Sequence, residues 1–101
     1  MAKRKIKLAP VHPGEILRED FMAPLKLSIN ALARDLRVPP SHVSGIVNEM
    51  RGISAKMALR LARYFGTTPD LWLGLQLDYE LDVARDSAGA QIEREVLPRA
   101  S

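Results

Sequence analysis

The chain has 101 residues, the length of one domain, and 47% of them are hydrophobic although only 5% are aromatic. Its lack of cysteine excludes disulfides and thiolate metal sites and fits a reducing compartment. The net charge of +3 is uneven, because residues 1–66 hold twelve Lys or Arg against five Asp or Glu, whereas residues 67–101 hold three against seven. A basic half beside an acidic half favours a polyanionic partner, although uneven surface charge without any partner is the alternative.

Residues 1–10 are expected to form a flexible basic arm, since they carry Lys and Arg without a helical period. No apolar run follows them that is long enough for a signal peptide or a membrane span, so we expect a cytoplasmic protein without membrane contacts. The segment HPGEILREDFM predicts a first helix, with Pro13 suited to its first turn. Pro24 is expected to end this helix, because a proline disfavours helical geometry in the preceding residue.

Two short helices are predicted next, on either side of the sequence RVPP. Ser28 is a natural cap for the second helix, and Pro40 can open the third. Each has an apolar stripe at positions i, i+3, i+4 and i+7, formed by Ile29, Leu32, Ala33 and Leu36 in one and by Val43, Ile46, Val47 and Met50 in the other. Two short amphipathic helices joined by a tight turn are typical of a helix-turn-helix unit.

The second half of the chain predicts two more helices. Ser54 is expected to cap a fourth helix that ends at Gly66, and Thr68 is expected to cap a fifth helix that starts at Pro69. No segment alternates with a period of two, so no strand is predicted. We therefore predict an all-α domain of five helices over residues 11–86, followed by a polar, frayed tail over residues 87–101.

The outer side of the third helix carries the strongest functional signal. Its residues are small and polar, and we call them the polar face: Ser41, Ser44, Gly45 and Asn48, with His42 beside them. Such residues cost up to about 1 kcal/mol each in a helix relative to Ala, so a benefit elsewhere should offset them. Donors and acceptors that fit the major groove of DNA are a physical candidate, with Asn48 suited to an adenine edge and Gly45 to a close approach.

The polar face also has alternative interpretations, namely a surface for a partner protein or a helix that is not optimised. Basic residues beside it favour DNA, because they can contact phosphates: Arg34, Arg37, Arg51 and Lys56. Each of these alone is compatible with an ordinary surface charge.

The segment SINALARDLRVPPSHVSGIVNEMRGIS resembles the helix-turn-helix of the XRE/Cro-type repressors. The wider run from HPGEILREDFM through GISAKMALRLARYFGTTPDLWLGLQLDYEL resembles the HigA (VapI-like) antitoxins, roughly from Val11 to Arg85. The resemblance implies a lambda-repressor-like domain of five helices. It also implies a homodimer that binds double-stranded operator DNA of its own operon and neutralises a ribosome-dependent mRNA endonuclease, a HigB-type toxin.

Carried over by position, the recognition residues implied by this resemblance are Pro40, Ser41, His42, Ser44, Gly45, Asn48 and Arg51. The chain departs from the family pattern at three positions. Pro39 replaces a common Ser or Thr cap, and Arg37 replaces a glycine that often adopts a left-handed turn, at a cost of about 1 kcal/mol. Gly45 replaces a residue that is frequently basic, so the operator sequence cannot be borrowed from relatives.

The predicted fifth helix is apolar over more of its circumference than one core contact requires. One line consists of Leu73, Leu77 and Leu81, and a second consists of Trp72, Leu75, Tyr79 and Val83. One line can close the core while the other meets a symmetry mate, although a single wide face buried in the same domain is the alternative. The candidates for a dimer interface are Trp72, Leu73, Leu77, Tyr79 and Leu81, with Trp72 suited equally to the core.

Catalysis is not predicted, and neither a metal nor a cofactor is expected. The two histidines, His12 and His42, stand 30 positions apart without a catalytic pattern, and His12 is better suited to capping or packing the first helix. Two other functions stay open beside the repressor and antitoxin. One is a stand-alone transcriptional regulator without a toxin, and the other is a toxin-binding module that no longer binds DNA.

Overall fold

The computed structural model describes residues 9–100, and this part of the chain forms five helices and no strand. Helix α1 covers residues 13–25 and contains a π-helical segment, Leu17–Met22, between two short α-helical segments. The other helices are α2 (Ile29–Leu36), α3 (Pro40–Val47), α4 (Ala55–Phe65) and α5 (Pro69–Glu95). The prediction of an all-α fold is confirmed. The predicted basic arm lies outside the described residues except for Ala9 and Pro10.

The predicted caps form because each hydroxyl accepts a backbone N–H that the first helical turn leaves without an internal partner. The pairs are Ser28 with Ala31, Ser54 with Met57, and Thr68 with Leu71, at 3.0 to 3.2 Å. Gly66 ends α4 in a left-handed conformation, with φ of 71°. These local predictions of helix ends are confirmed.

The prediction that Pro24 ends the first helix is wrong. The helix continues to Leu25, and Lys26 ends it with φ of 55°. The N–H of Ala23 donates to the carbonyl of Arg18, five residues back, which is the wide spacing of a π-helix. Pro24 lies where the helix returns to α-helical spacing. Because proline has no backbone N–H, this position has no donor that could lack a partner.

The prediction of a frayed tail from residue 87 is also wrong as far as Glu95, because α5 continues to that residue. Most residues of its last turns are Ala, Gln, Glu or Arg, which favour a helix without any burial, and they outweigh the single Gly89. Gln91 adds a hydrogen bond of 3.0 Å to Glu95 one turn further on. Polarity in this segment indicates solvent exposure and does not exclude a helix.

The core lies between all five helices and has Trp72 at its centre. The indole is fully buried, its ring centroid lies 4.8 Å from that of Phe21, and its Nε1 donates to Thr67 Oγ1 at 2.8 Å. The prediction of Trp72 as a dimer contact is therefore wrong, because no part of the ring is accessible to a second subunit. The buried apolar residues are Leu17, Met22, Leu32, Ala33, Leu36, Val43, Ile46, Val47, Ile53, Met57, Ala58, Leu61, Ala62 and Trp72.

The start of α1 crosses α3 near its C-terminal end, at backbone distance. A Cβ atom added to Gly14 would overlap with the backbone oxygen of Ile46. Only glycine fits this crossing, which holds α3 against the body of the domain. Within residues 9–100, none of the helices combines the length and the apolar content that a membrane crossing requires.

Candidate nucleic-acid interface

Helix α3 turns its apolar stripe inward and its polar face outward. Val43, Ile46 and Val47 are buried, whereas Ser41 and Asn48 are exposed and Ser44 is half-buried. Met50, predicted as the fourth member of the stripe, is 81% exposed, because the helix ends at Val47 and Glu49 turns the chain with φ of 62°. The prediction for Met50 is thus wrong, and the prediction that Ser44 and Asn48 avoid cover by another helix is confirmed.

Asn48 stands at the C-terminal cap of α3 and bonds back to the polar face. Its Nδ2 donates to Ser44 Oγ at 3.1 Å, and its backbone N–H donates to the Ser44 carbonyl at 3.0 Å. The amide nitrogen carries two hydrogens, so this bond leaves one hydrogen and the side-chain oxygen available. One donor and one acceptor are what the major-groove edge of adenine requires.

Arg18 of α1 holds the end of α3, a contact that the sequence did not reveal. Its Nη1 donates to the carbonyl of Val47, and its Nη2 lies 3.7 Å from Glu49 Oε2. These partners lie on either side of Asn48, so Arg18 fixes the backbone from which the asparagine projects. No local pattern in the sequence pairs residues 29 positions apart.

The turn between α2 and α3 is held in a similar way. Arg37 has φ of 63°, which confirms the predicted left-handed turn in the absence of glycine. Arg60 of α4 donates from Nη1 to the carbonyl of Leu36 at 2.8 Å and so satisfies the end of α2. Pro39 provides no side-chain cap for α3, as its residue type predicts. The contribution of Arg60 was not anticipated from the sequence.

The loop after α3 is tied to α5 by Gln76. The Gln76 Oε1 accepts the backbone N–H of Ile53 at 2.8 Å, and its Nε2 donates to Glu80 Oε2 at 2.8 Å. A Cβ atom on Gly52 would lie 2.7 Å from the Gln76 amide, so a side chain here would displace the amide from its present position. The helix that carries the exposed leucines therefore also supports the loop beside the polar face.

The two histidines have different structural roles. His12 is buried, and its Nδ1 accepts the N–H of Gly14 at 2.8 Å, which confirms the predicted capping role. Burial lowers the pKa of His12, while the charge of Glu49 opposes that shift. His42 is half-buried on α3, and burial followed by the charges of Arg51 and Arg60 lowers its pKa. Both shifts favour the neutral form of the imidazole.

The predicted phosphate contacts are all exposed. Arg34 has its Nε 3.6 Å from Asp35 Oδ1, a weak surface pair that a phosphate can replace. Arg37, Arg51 and Lys56 have no ion pair within residues 9–100. Whether these four side chains bind DNA stays a prediction.

The two apolar lines of α5 point in different directions. Trp72 and Leu75 face the core, and the half-buried Tyr79 packs edge-on against His12 with 4.8 Å between ring centroids. Tyr79 thus contacts its own domain through His12 but keeps part of its surface exposed, so its role as a dimer contact stays a prediction. The other predicted interface residues lie outside, with exposed fractions of 36% for Leu73, 54% for Leu77 and 40% for Leu81.

Comparison with known proteins agrees with this geometry. A family described as helix-turn-helix matches residues 17–72, which is more than half of the chain. The chain belongs to the helix-turn-helix family. Virulence-associated protein I of Dichelobacter nodosus is 50% identical over 80 residues, which cover 79% of this chain and 74% of the relative. Antitoxin HigA-1 of Vibrio cholerae is 37% identical over 73 residues, 72% of this chain and 69% of the relative.

A solved structure extends the similarity of this helix-turn-helix protein beyond the matched family region. Antitoxin HigA of Pseudomonas aeruginosa, solved with the higBA promoter, is 49% identical and superimposes with a TM-score of 0.87. The match covers 90% of this chain and 99% of that chain. The resemblance to the HigA and VapI proteins that the sequence indicated is confirmed.

Proposed function

We propose that this protein is the antitoxin of a type II toxin–antitoxin system and a dimeric repressor of its own operon. It binds double-stranded operator DNA through α3 and neutralises an mRNA-cleaving HigB-type toxin. The proposal includes no catalytic step and no cofactor, and it places the protein in the cytoplasm. The relative from Pseudomonas aeruginosa was solved with promoter DNA, and the relative from Vibrio cholerae is named an antitoxin, which supports both parts.

The observation that carries the DNA-binding part is the uncovered polar face of α3. Its small side chains permit the helix to enter a major groove, and its hydroxyl, imidazole and amide groups supply donors and acceptors for base edges. Arg18 and Arg60 secure the ends of α3 and α2 against the body of the domain. A rigid support of this kind limits the loss of side-chain and backbone freedom on binding.

The dimer part rests on the outer leucines of α5. Leu73, Leu77 and Leu81 recur every fourth residue and so form a continuous apolar line along the helix. Such a line is usually removed from water by packing against the same line of a second copy of the protein, in a two-fold interface. Two copies of α3 spaced about 34 Å apart would then meet successive major grooves of a palindromic site.

The DNA-binding part is tested by fluorescence anisotropy with the duplex upstream of the gene and a shuffled duplex of equal composition. We expect the upstream duplex to bind at least about a thousandfold more tightly at physiological salt. Equal affinity for the two duplexes across a salt titration, or no binding at low salt, would contradict sequence-specific binding.

Asn48→Ala tests the role of the polar face. We expect it to weaken discrimination at one base pair by about tenfold, because one donor and acceptor pair is lost. Gln91→Ala removes the same amide from the distal part of α5 and is the matched control, with no expected change. An equal loss of affinity on every duplex variant would instead assign Asn48 to a phosphate contact.

The antitoxin part is tested by coexpression with the gene adjacent to this one. If that gene encodes a small endonuclease, its toxicity should disappear when the antitoxin is present, and the two proteins should copurify. Persistent toxicity, or the absence of any such neighbour, would support a stand-alone regulator.

A further inference from the structure

Gly45 lies in the middle of the polar face, and the side chain of Arg51 rests directly on it. A Cβ atom added to Gly45 would lie 2.6 Å from Arg51 Cδ and 3.0 Å from its Cγ. Outside their own residue and its chain neighbours, Cβ atoms essentially never have another heavy atom within 3.0 Å. The absence of a side chain at position 45 therefore creates the place that the stem of Arg51 occupies.

The backbone holds Arg51 in this place. The carbonyl of Gly45 accepts the N–H of Met50 at 2.8 Å and the N–H of Arg51 at 3.2 Å. The left-handed Glu49 turns the chain back toward the helix, so that Arg51 lies beside the residue six positions before it. The stem is thus fixed at its root and supported along its length.

The stem of Arg51 lies against Gly45 of α3, so its charged end is carried beside the polar face. The positive charge of Arg51 contributes to the lowered pKa of His42, which stands one helical turn before Gly45. The guanidinium is exposed, and no hydrogen bond or ion pair engages it within residues 9–100. Its five N–H donors therefore remain available on the polar face.

We propose that Arg51 hydrogen-bonds to a guanine in the major groove, and that the missing side chain of Gly45 leaves the space in which the Arg51 stem lies. Guanine presents two acceptors, N7 and O6, which match the paired donors of a guanidinium. This inference rests on the proposed DNA-binding function and adds the residue that reads a G·C pair.

The alternative is that Arg51 binds a phosphate, and Arg51→Lys distinguishes the two. Lysine keeps the positive charge but loses the planar, two-pronged geometry. A base-reading role predicts that Arg51→Lys loses about tenfold or more in discrimination at one G·C pair, while the dependence of Kd on salt is unchanged. A phosphate role predicts a similar change in affinity for every duplex variant.

Gly45→Ala provides an independent test, because its methyl group displaces the stem of Arg51 without removing the arginine. We expect it to lose discrimination at the same G·C pair as Arg51→Lys. The double variant should lose no more discrimination than either single variant. Alanine also favours a helix over glycine, so the melting temperature should stay equal or rise. A structural role for Gly45 alone would instead lower the melting temperature.

The experiment measures Kd for the upstream duplex and for a set in which each base pair is exchanged in turn. The comparison includes the wild type, the two single variants, the double variant and the control Gly74→Ala. Gly74 lies on α5, where an added Cβ atom would have no heavy atom within 4 Å outside the local helix backbone. Unchanged discrimination in Gly45→Ala, or uniform losses in Arg51→Lys, would overturn the inference while wild-type specificity upholds the proposed function. Absence of specificity in the wild type would overturn the proposed function itself, and the inference with it.

Discussion

Individual side chains from distant parts of the chain complete the ends of the short helices. Helices α2 and α3 have only eight residues each, a length at which an isolated helix is marginal in water. Arg18 and Arg60 donate to their last carbonyls, which have no partner inside a helix. A hydrogen bond from a charged donor contributes about 1.5–3 kcal/mol, and solvent exposure of the arginines reduces that figure. The ends of the two short helices are therefore completed by residues outside the helix-turn-helix.

The buried His12 predicts a pH dependence of stability. Its pKa is lowered in the folded state, so the unfolded state binds more protons between the folded pKa and the ordinary value near 6.5. The free energy of unfolding should therefore be highest above pH 6.5 and fall as the pH drops through this window. His12→Asn retains a capping oxygen without a titrating ring, so the free energy of unfolding of this variant should fall less. Urea unfolding at pH 7.5 and pH 5.5 measures both.

His42 is present in both the wild-type protein and His12→Asn, so the effect of its own lowered pKa on stability cancels when the two are compared. Glu49 favours the charged form of His12 and so narrows the pH range between the folded and unfolded pKa values of His12. Identical losses of stability in the two proteins would contradict a lowered pKa of His12 in the folded state.

At the scale of elements, the crossing of α1 and α3 sets the position of the polar face. Gly14 lies at the crossing against the backbone of Ile46, and Tyr79 of α5 covers the adjacent His12. Gln76 of α5 holds the loop at Ile53, on the other side of α3. Helix α3 is thus supported directly by α1, while α5 holds the loop that follows it.

The crossing predicts a large effect of Gly14→Ala. The added methyl group overlaps with backbone atoms, so the two helices must separate, at a cost of about 3 kcal/mol in the free energy of unfolding. Gly74→Ala is the matched control on α5, where open space and better helix propensity should stabilise by about 0.5–1 kcal/mol. Urea denaturation of both variants checks this, and similar stabilities would contradict the close crossing.

The whole molecule combines a compact body with a long final helix. The 27 residues of α5 extend the molecule to 53 Å along its longest axis, against 29 and 23 Å along the others. All seven acidic residues of the second half lie on this helix, whereas most of the basic residues precede it. This separation of charge keeps the acidic residues on an element distinct from the helix-turn-helix that we expect to face phosphates.

The proposed dimer predicts the effect of Leu77→Glu. A carboxylate in the centre of the apolar line should disfavour its burial, so sedimentation should report a monomer. Affinity for a palindromic duplex should fall by about a hundredfold, because the two half-sites no longer bind together. Leu59→Glu changes a similarly exposed leucine on α4 and should remain dimeric. A dimeric Leu77→Glu protein would place the interface elsewhere.

The sequence by itself determined the five helices, their hydroxyl caps, the left-handed Arg37 and the outward polar face of α3. These features depend on residues within one or two turns of each other, so periodicity and cap chemistry reveal them. Only the tertiary structure decided the roles of Arg18, Arg60 and Gln76, whose partners lie 29, 24 and 23 positions away. It also decided that Trp72 faces inward while Leu77 faces solvent, because a helix that is apolar on two sides can pack with either one.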